Sequence, residues 1–288
     1  LSLKKQIGTL ISIMLESLAE ALNISLPFVL GACLATYTVN FARGDNRGSR
    51  PARVALALSC LVGLALILVR ATGEGHIPLS NAGEAMSFFA FSAVVVYAYL
   101  EWRTGTQAMG IFILAIALVF QIFGTVADEG FTPIEPILQS GWFAIHASTS
   151  VISFTSFAIA AVLSVLYLLL YRELHAGRPG FIFRRIPSLE ALDRMAFRAI
   201  VVGFVLLSAG MVTGSIWAHE VWGHYWSWDP KQCSSLTIWL IYASYLFARV
   251  RRGWSGRRVA YFAMLGFALL VFTFTIVTRL FHTVHKFS

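Results

Sequence analysis

The sequence predicts an all-α fold: a polytopic membrane helix bundle of about eight transmembrane helices with an N-terminal interfacial helix. Three observations predict it. The 288 residues are 58% hydrophobic and only 12% charged, about half the charge of an ordinary soluble domain. The apolar residues gather in runs of 17 or more, each able to cross a hydrocarbon core of about 30 Å as a helix. Finally, the basic residues collect in alternate connections between those runs. Lipid offers backbone groups no hydrogen-bond partners, so only helices or a closed barrel can span it, and no period-two alternation supports a barrel.

In chain order, residues 1–23 come first. Lys4, Lys5, Glu16 and Glu20 bracket an apolar face of Leu10, Ile11, Met14, Leu15 and Leu18 at helical spacing. That pattern belongs to a helix lying in the interface; read as a crossing segment, it would be a ninth span. Residues 24–288 form the transmembrane domain, with spans at 24–42, 53–70, 85–101, 108–126, 142–171, 198–217, 233–250 and 259–280. The sequence opens on Leu1, which leaves room for a preceding segment or signal sequence.

Charge sets the orientation. The connections 43–53, 101–107, 172–198 and 249–258 hold 16 Lys and Arg against five acids, a balance of +11; the remainder of the chain balances at −3. Basic loops stay cytoplasmic, so both termini and the connections 71–84, 127–141 and 218–232 lie outside. No basic run is interleaved with base-stacking aromatics, so the net charge of +8 reflects the lipid bilayer and not nucleic acid.

Cys33, Cys60 and Cys233 are scattered and read as small buried apolar residues. There is no Cys-x-x-Cys or Cys-x-x-Cys-His, nor any nucleotide or zinc-protease motif. Of seven histidines, only His175 falls in a basic loop; His76, His146, His219, His224, His282 and His285 all map to the outer face. Neutral imidazole is the commonest axial ligand of heme iron. The most unusual segment runs from Trp217 to Lys231, where Trp217, Trp222, Trp226 and Trp228 fall within twelve residues, half of the chain's eight tryptophans. An interfacial belt would scatter its tryptophans over several helix ends. Clustered indoles instead offer a shelf for a planar macrocycle. Gly223 would let backbone come close, Asp229 would orient a donor, and Lys231 would pair with a propionate.

The run Trp222-Gly-His-Tyr-Trp226-Ser-Trp228-Asp229-Pro230-Lys231, followed by Leu236, Trp239, Tyr242 and Tyr245-Leu246, resembles the tryptophan-rich WWD signature. That signature marks the CcsA branch of the cytochrome c assembly proteins (System II), with ResC- and CcmF-type relatives. Pro78-Leu79-Ser-Asn81-Ala-Gly-Glu84 is similar to the family's Pro-Leu-x-Asn-x-x-Glu segment, and Phe272 through Phe287 resembles its final helix and terminal Leu-His-Ser-Tyr. The resemblance covers roughly residues 75–288.

It implies a membrane protein, bacterial inner-membrane or thylakoid, that presents non-covalent, b-type heme on the outer face for attachment to apocytochrome c. Attachment adds the two thiols of a Cys-x-x-Cys-His across the heme vinyl groups, chiefly a positioning task, and no catalytic residue is assigned. The resemblance places the heme-iron ligands at His146 and His285, with Trp222, Trp226, Trp228 and Asp229 completing the cofactor site. Span 142–171, about 45 Å of helix, is long enough to lift His146 above the hydrocarbon. With no outer loop longer than about 15 residues, the chain needs a CcsB/ResB-type membrane partner to hold the apocytochrome. Phe247 stands where the family has an intramembrane histidine, which argues against heme passage through this chain alone. An alternative reading is a repurposed family member acting as a membrane heme subunit in electron transfer.

Overall fold

The computed structural model describes residues 2–44, 48–131, 135–177, 180 and 183–273. Among the described residues there are eight α-helices, one short 3-10 turn at Pro136–Leu138 and no strand. The helices are α1 (Ser2–Arg43), α2 (Arg50–Glu74), α3 (Ala82–Thr104), α4 (Gly110–Val126), α5 (Gly141–His175), α6 (Leu189–Trp222), α7 (Pro230–Arg252) and α8 (Arg257–Phe272). Six of them, α1, α2, α3, α5, α6 and α7, are long and apolar enough to cross a membrane. The protein is therefore an integral, polytopic membrane protein. The last expected span, 259–280, begins with α8 and continues outside the described residues.

Two helices are longer than the expected spans. Helix α1 runs unbroken through residue 23, over 42 residues with Pro27 inside it. Proline has no N–H, so the carbonyl of Asn23 loses its helical partner; Thr125 of α4 supplies a substitute, its hydroxyl donating to that oxygen at 3.1 Å. The expected span 198–217 is also extended at both ends by α6, whose Ser188 side chain caps the N-terminus. That extension draws Trp222 onto the helix and shortens the aromatic connection to residues 223–229.

The chain divides into two compact units, Leu1–Ala144 and Ile145–Ser288. In the first, α1 packs on α2 and α4, and α3 packs on α4 and α2. One end is closed by Glu101, which accepts from the Tyr37 hydroxyl at 2.6 Å and from Gln107 at 3.0 Å; Gln107 also clamps the Ser49 backbone. The other end is closed by Arg70, which pairs with Asp128, Glu84 and Glu74. Here the Pro78–Glu84 segment has a structural explanation. Asn81 caps α3 by accepting from the Glu84 amide at 2.9 Å, while Glu84 accepts from the amide and hydroxyl of Ser80. Gly83 lets α3 approach the end of α4, since a Cβ there would lie 2.5 Å from the Ala127 carbonyl oxygen.

In the second unit, α7 packs on α6 and α8, and α5 joins them through small residues. Ser153 of α5 donates to the Gly203 carbonyl of α6 at 2.7 Å. Phe157 of α5 lies flat on Tyr242 of α7, with ring centroids 3.7 Å apart. Gly203 and Gly266 make room for those two rings, because a Cβ at either would come within 2.8 Å of ring carbon. At the basic end Arg249 of α7 grips Asp193 of α6 with both terminal nitrogens, a planar two-point pairing that fixes direction as well as distance.

Candidate functional site

His146 lies one and a half turns into α5, and its ring is held on two sides. Nδ1 stands 2.7 Å from the Gly210 carbonyl oxygen of α6. A carbonyl can only accept, so Nδ1 carries the hydrogen and the Nε2 lone pair is left available. One turn on, Gly214 leaves space for the imidazole: a Cβ there would fall 2.4 Å from Nδ1. The Trp217 indole, 1% exposed, runs nearly parallel to the imidazole, with planes 16° apart and centroids 6.2 Å apart. Trp222 meets Trp217 edge-on at 5.2 Å, fixing it from the last turn of α6.

The connection 223–229 is shaped by both helix ends. Gly223 takes the left-handed conformation, φ 77°, and its amide closes α6 onto the His219 carbonyl. A Cβ there would meet no heavy atom of the described residues within 4 Å, so the left-handed helix stop is what calls for glycine at this position. Asp229 does orient donors, but they are the backbone amides of Lys231 and Gln232, at 2.7 and 2.9 Å. With Pro230 at the first helical position, Asp229 is the N-cap of α7. Gln232 reaches back to accept from the Ser227 amide at 2.8 Å, and Ser215 of α6 donates to the Tyr225 carbonyl at 3.0 Å. Together these bonds pin the connection at each end.

A cleft of about 70 Å³ opens beside this connection, lined among others by His146, Met211, Gly214, Tyr225, Trp226 and Lys231. Among the described residues Trp226 Nε1 is buried and has no hydrogen-bond partner, and Lys231 makes no ion pair. The cleft is therefore walled by an imidazole with a free lone pair, an indole whose N–H is unused and a lysine without a counter-ion. Trp228 points away from it, 71% exposed, edge-on to Trp226 and with a left-handed φ of 57°.

Of the expected site residues, the structure thus gathers His146 and Trp226 at the cleft, with Trp222 and Asp229 supporting them. His285 lies outside the described residues, as does His282. His219 is exposed and stacks on Tyr225 at 4.2 Å, while His224 is exposed. His76 belongs to the other unit. Among the described residues no three His, Cys, Asp or Glu converge in a metal-binding group. Sequence reasoning missed Gly210 and Gly214. Their Gly-x-x-x-Gly spacing in an apolar helix is the usual signal of close helix approach.

The comparisons bear on the whole of this unit. A family described as Cytochrome C assembly protein matches residues 79–285. The chain is similar to a cytochrome c biogenesis protein CcsA of Guillardia theta, 33% identical over 232 residues that cover 74% of this chain and 77% of that one. A protein of the same description from Chlamydomonas reinhardtii is 33% identical over 245 residues, 82% of this chain and 68% of the relative. Another, from Synechococcus sp. (strain WH7803), is 31% identical over 282 residues, 86% and 88% of the two chains.

Proposed function

Because the chain belongs to the cytochrome c assembly protein family and is of its CcsA type, we propose that it binds heme on the outer face of the membrane and presents it for covalent attachment to apocytochrome c. The observation that carries the reading is the setting of His146. A neutral imidazole, with Nδ1 engaged by a backbone carbonyl and Nε2 free, is the donor that heme iron takes axially. Around it, Trp226 offers an indole N–H and Lys231 a cation, which suit the carboxylates at the edge of a b-type heme. The donor set fits the group.

Each residue has a part. The Gly210 carbonyl holds the proton on Nδ1, Trp217 sets the plane of the imidazole, and Trp222 braces Trp217. Trp226 forms the shelf with Trp228 braced edge-on against it, while Asp229 fixes the first turn of α7 beneath it. Heme, as cargo, brings the iron and the vinyl groups across which the two thiols add. His285 is the second axial ligand by family position, and a CcsB/ResB-type partner supplies the external domain that holds the apocytochrome.

The test is the visible spectrum of the detergent-purified protein. His146→Gly or His285→Gly should lose the low-spin bis-imidazole bands, and added imidazole should restore them by filling the vacated axial position. His219→Gly and His224→Gly should leave the bands in place. Loss of the bands in His219→Gly, with His146→Gly unaffected, would move the ligand to the aromatic connection. A second reading, a heme subunit for electron transfer, is favoured by Phe247, which puts no imidazole on α7 for heme transit. A reversible midpoint potential with heme retained in the presence of apocytochrome would decide for it.

A further inference from the structure

The turn from α2 to α3 buries more acceptors than donors. Arg70 is 4% exposed and, among the described residues, is the one cation shared by Glu74, Glu84 and Asp128. Two of these anions have further donors. Glu84 accepts from the Ser80 amide at 2.7 Å and the Ser80 hydroxyl at 2.8 Å, and Asp128 accepts from Asn23 at 2.6 Å. Glu74 has none. Its side chain is 2% exposed, and among the described residues neither carboxylate oxygen accepts a hydrogen bond. Two side-chain nitrogens stand beside it, Arg70 Nη1 and His76 Nε2, each at 3.7 Å, and the Glu84 carboxylate lies alongside.

His76 has its own hydrogen committed on the other side. Nδ1 stands 3.0 Å from the Ile77 carbonyl oxygen, which can only accept, so Nδ1 is protonated. His76 Nε2 is buried without a hydrogen-bond partner. A neutral ring would therefore turn a lone pair toward an ionised carboxylate, acceptor facing acceptor, away from water. One hydrogen is missing from this arrangement. A metal ion is not what completes it, because no third ligand converges among the described residues.

We propose that Glu74 and His76 are a proton-binding site, one proton held between them and closing the α2–α3 turn. The surrounding charge agrees. Arg70 is already opposed by Glu84 of α3 and by Asp128 beyond α4, and Glu16 and Glu20 of α1 line the adjoining cleft with Arg70 and Asp128. Among the described residues no cation is left there for a third bare anion, and a buried charge without a partner is costly. With the proton in place, residue 76 is tied back to the end of α2, ahead of the Asn81 cap that starts α3. Without it, Glu74 faces the His76 lone pair as well as Glu84 and Asp128, and the turn loosens. The pair is a pH-sensitive latch on residues 75–81, independent of the heme reading.

The test is amide hydrogen exchange of residues 75–81 in the whole protein in detergent, corrected for intrinsic rate, together with Tm, between about pH 5 and 8. Wild-type protection should fall about tenfold as pH rises across that interval and the shared proton is lost, with Tm falling alongside. Glu74→Gln places an amide N–H where the proton was, so its protection should be high and independent of pH. His76→Ala should be weakly protected at every pH. A flat wild-type profile, or a Glu74→Gln profile that keeps the wild-type slope, would overturn the proposal. Heme spectra of both variants should match wild type, which separates failure here from failure of the heme reading.

Discussion

A carbon added at position 214 would stand 2.4 Å from His146 Nδ1, closer than any real contact allows. Gly214→Ala is therefore expected to push the imidazole off the Gly210 carbonyl. The cost to stability should be about 1–3 kcal/mol, as for other overpacked positions, and the loss of heme occupancy should be larger. Absorbance per protein and a thermal melt would separate the two effects; an unchanged heme content would mean that His146 sits there for packing alone. His146 was singled out in the sequence by family position and by its place on the expected outer face. Its acceptor was not, since a backbone carbonyl 64 positions away leaves no mark on composition or spacing. Nor did spacing reveal that Trp226, of the four clustered tryptophans, is the one with a buried N–H unused.

Helix ends account for most of the difference between the expected aromatic loop and the observed one. The sequence shows apolar runs well but gives the polar first and last turns poorly, so α6 exceeds its expected span while its caps, Ser188 and Gly223, are ordinary signals. The amide bonds at 2.7 and 2.9 Å make Asp229 the start of α7, a role that the sequence reading does not assign to it. Asp229→Ala should cost about 1 kcal/mol, seen as a lower Tm, whereas Asp229→Asn should retain most of it because an amide oxygen also caps. Equal losses in both would instead tie the residue to its charge. Trp228, at φ 57°, is expected to gain stability on replacement by glycine, about 1 kcal/mol by relief of the left-handed backbone, while heme retention falls. A melt and a spectrum on the same sample would show whether the two move in opposite directions.

For the molecule as a whole, the split of +11 against −3 predicts that reporters inserted in 176–188 and 253–256 read as cytoplasmic and those in 223–229 as external. An external signal from 176–188 would reverse the orientation. All-helical, membrane-spanning architecture was legible because lipid leaves few alternatives. The buried cluster around Arg70 was not, since Asn23, Arg70, Glu84 and Asp128 are drawn together from four separate segments by packing that no local pattern records. Asn23 also has a mechanical consequence. It lies on α1 where Pro27 has released a carbonyl, it is held there by Thr125, and its side chain grips Asp128 and Gln121. Helix α1 is in effect a beam pinned near its midpoint, with an outer arm about 30 Å long that carries exposed Leu10, Met14 and Leu18. Any load that the membrane surface places on that arm is delivered at the pin, so the arm's tilt and the charge cluster share one fulcrum.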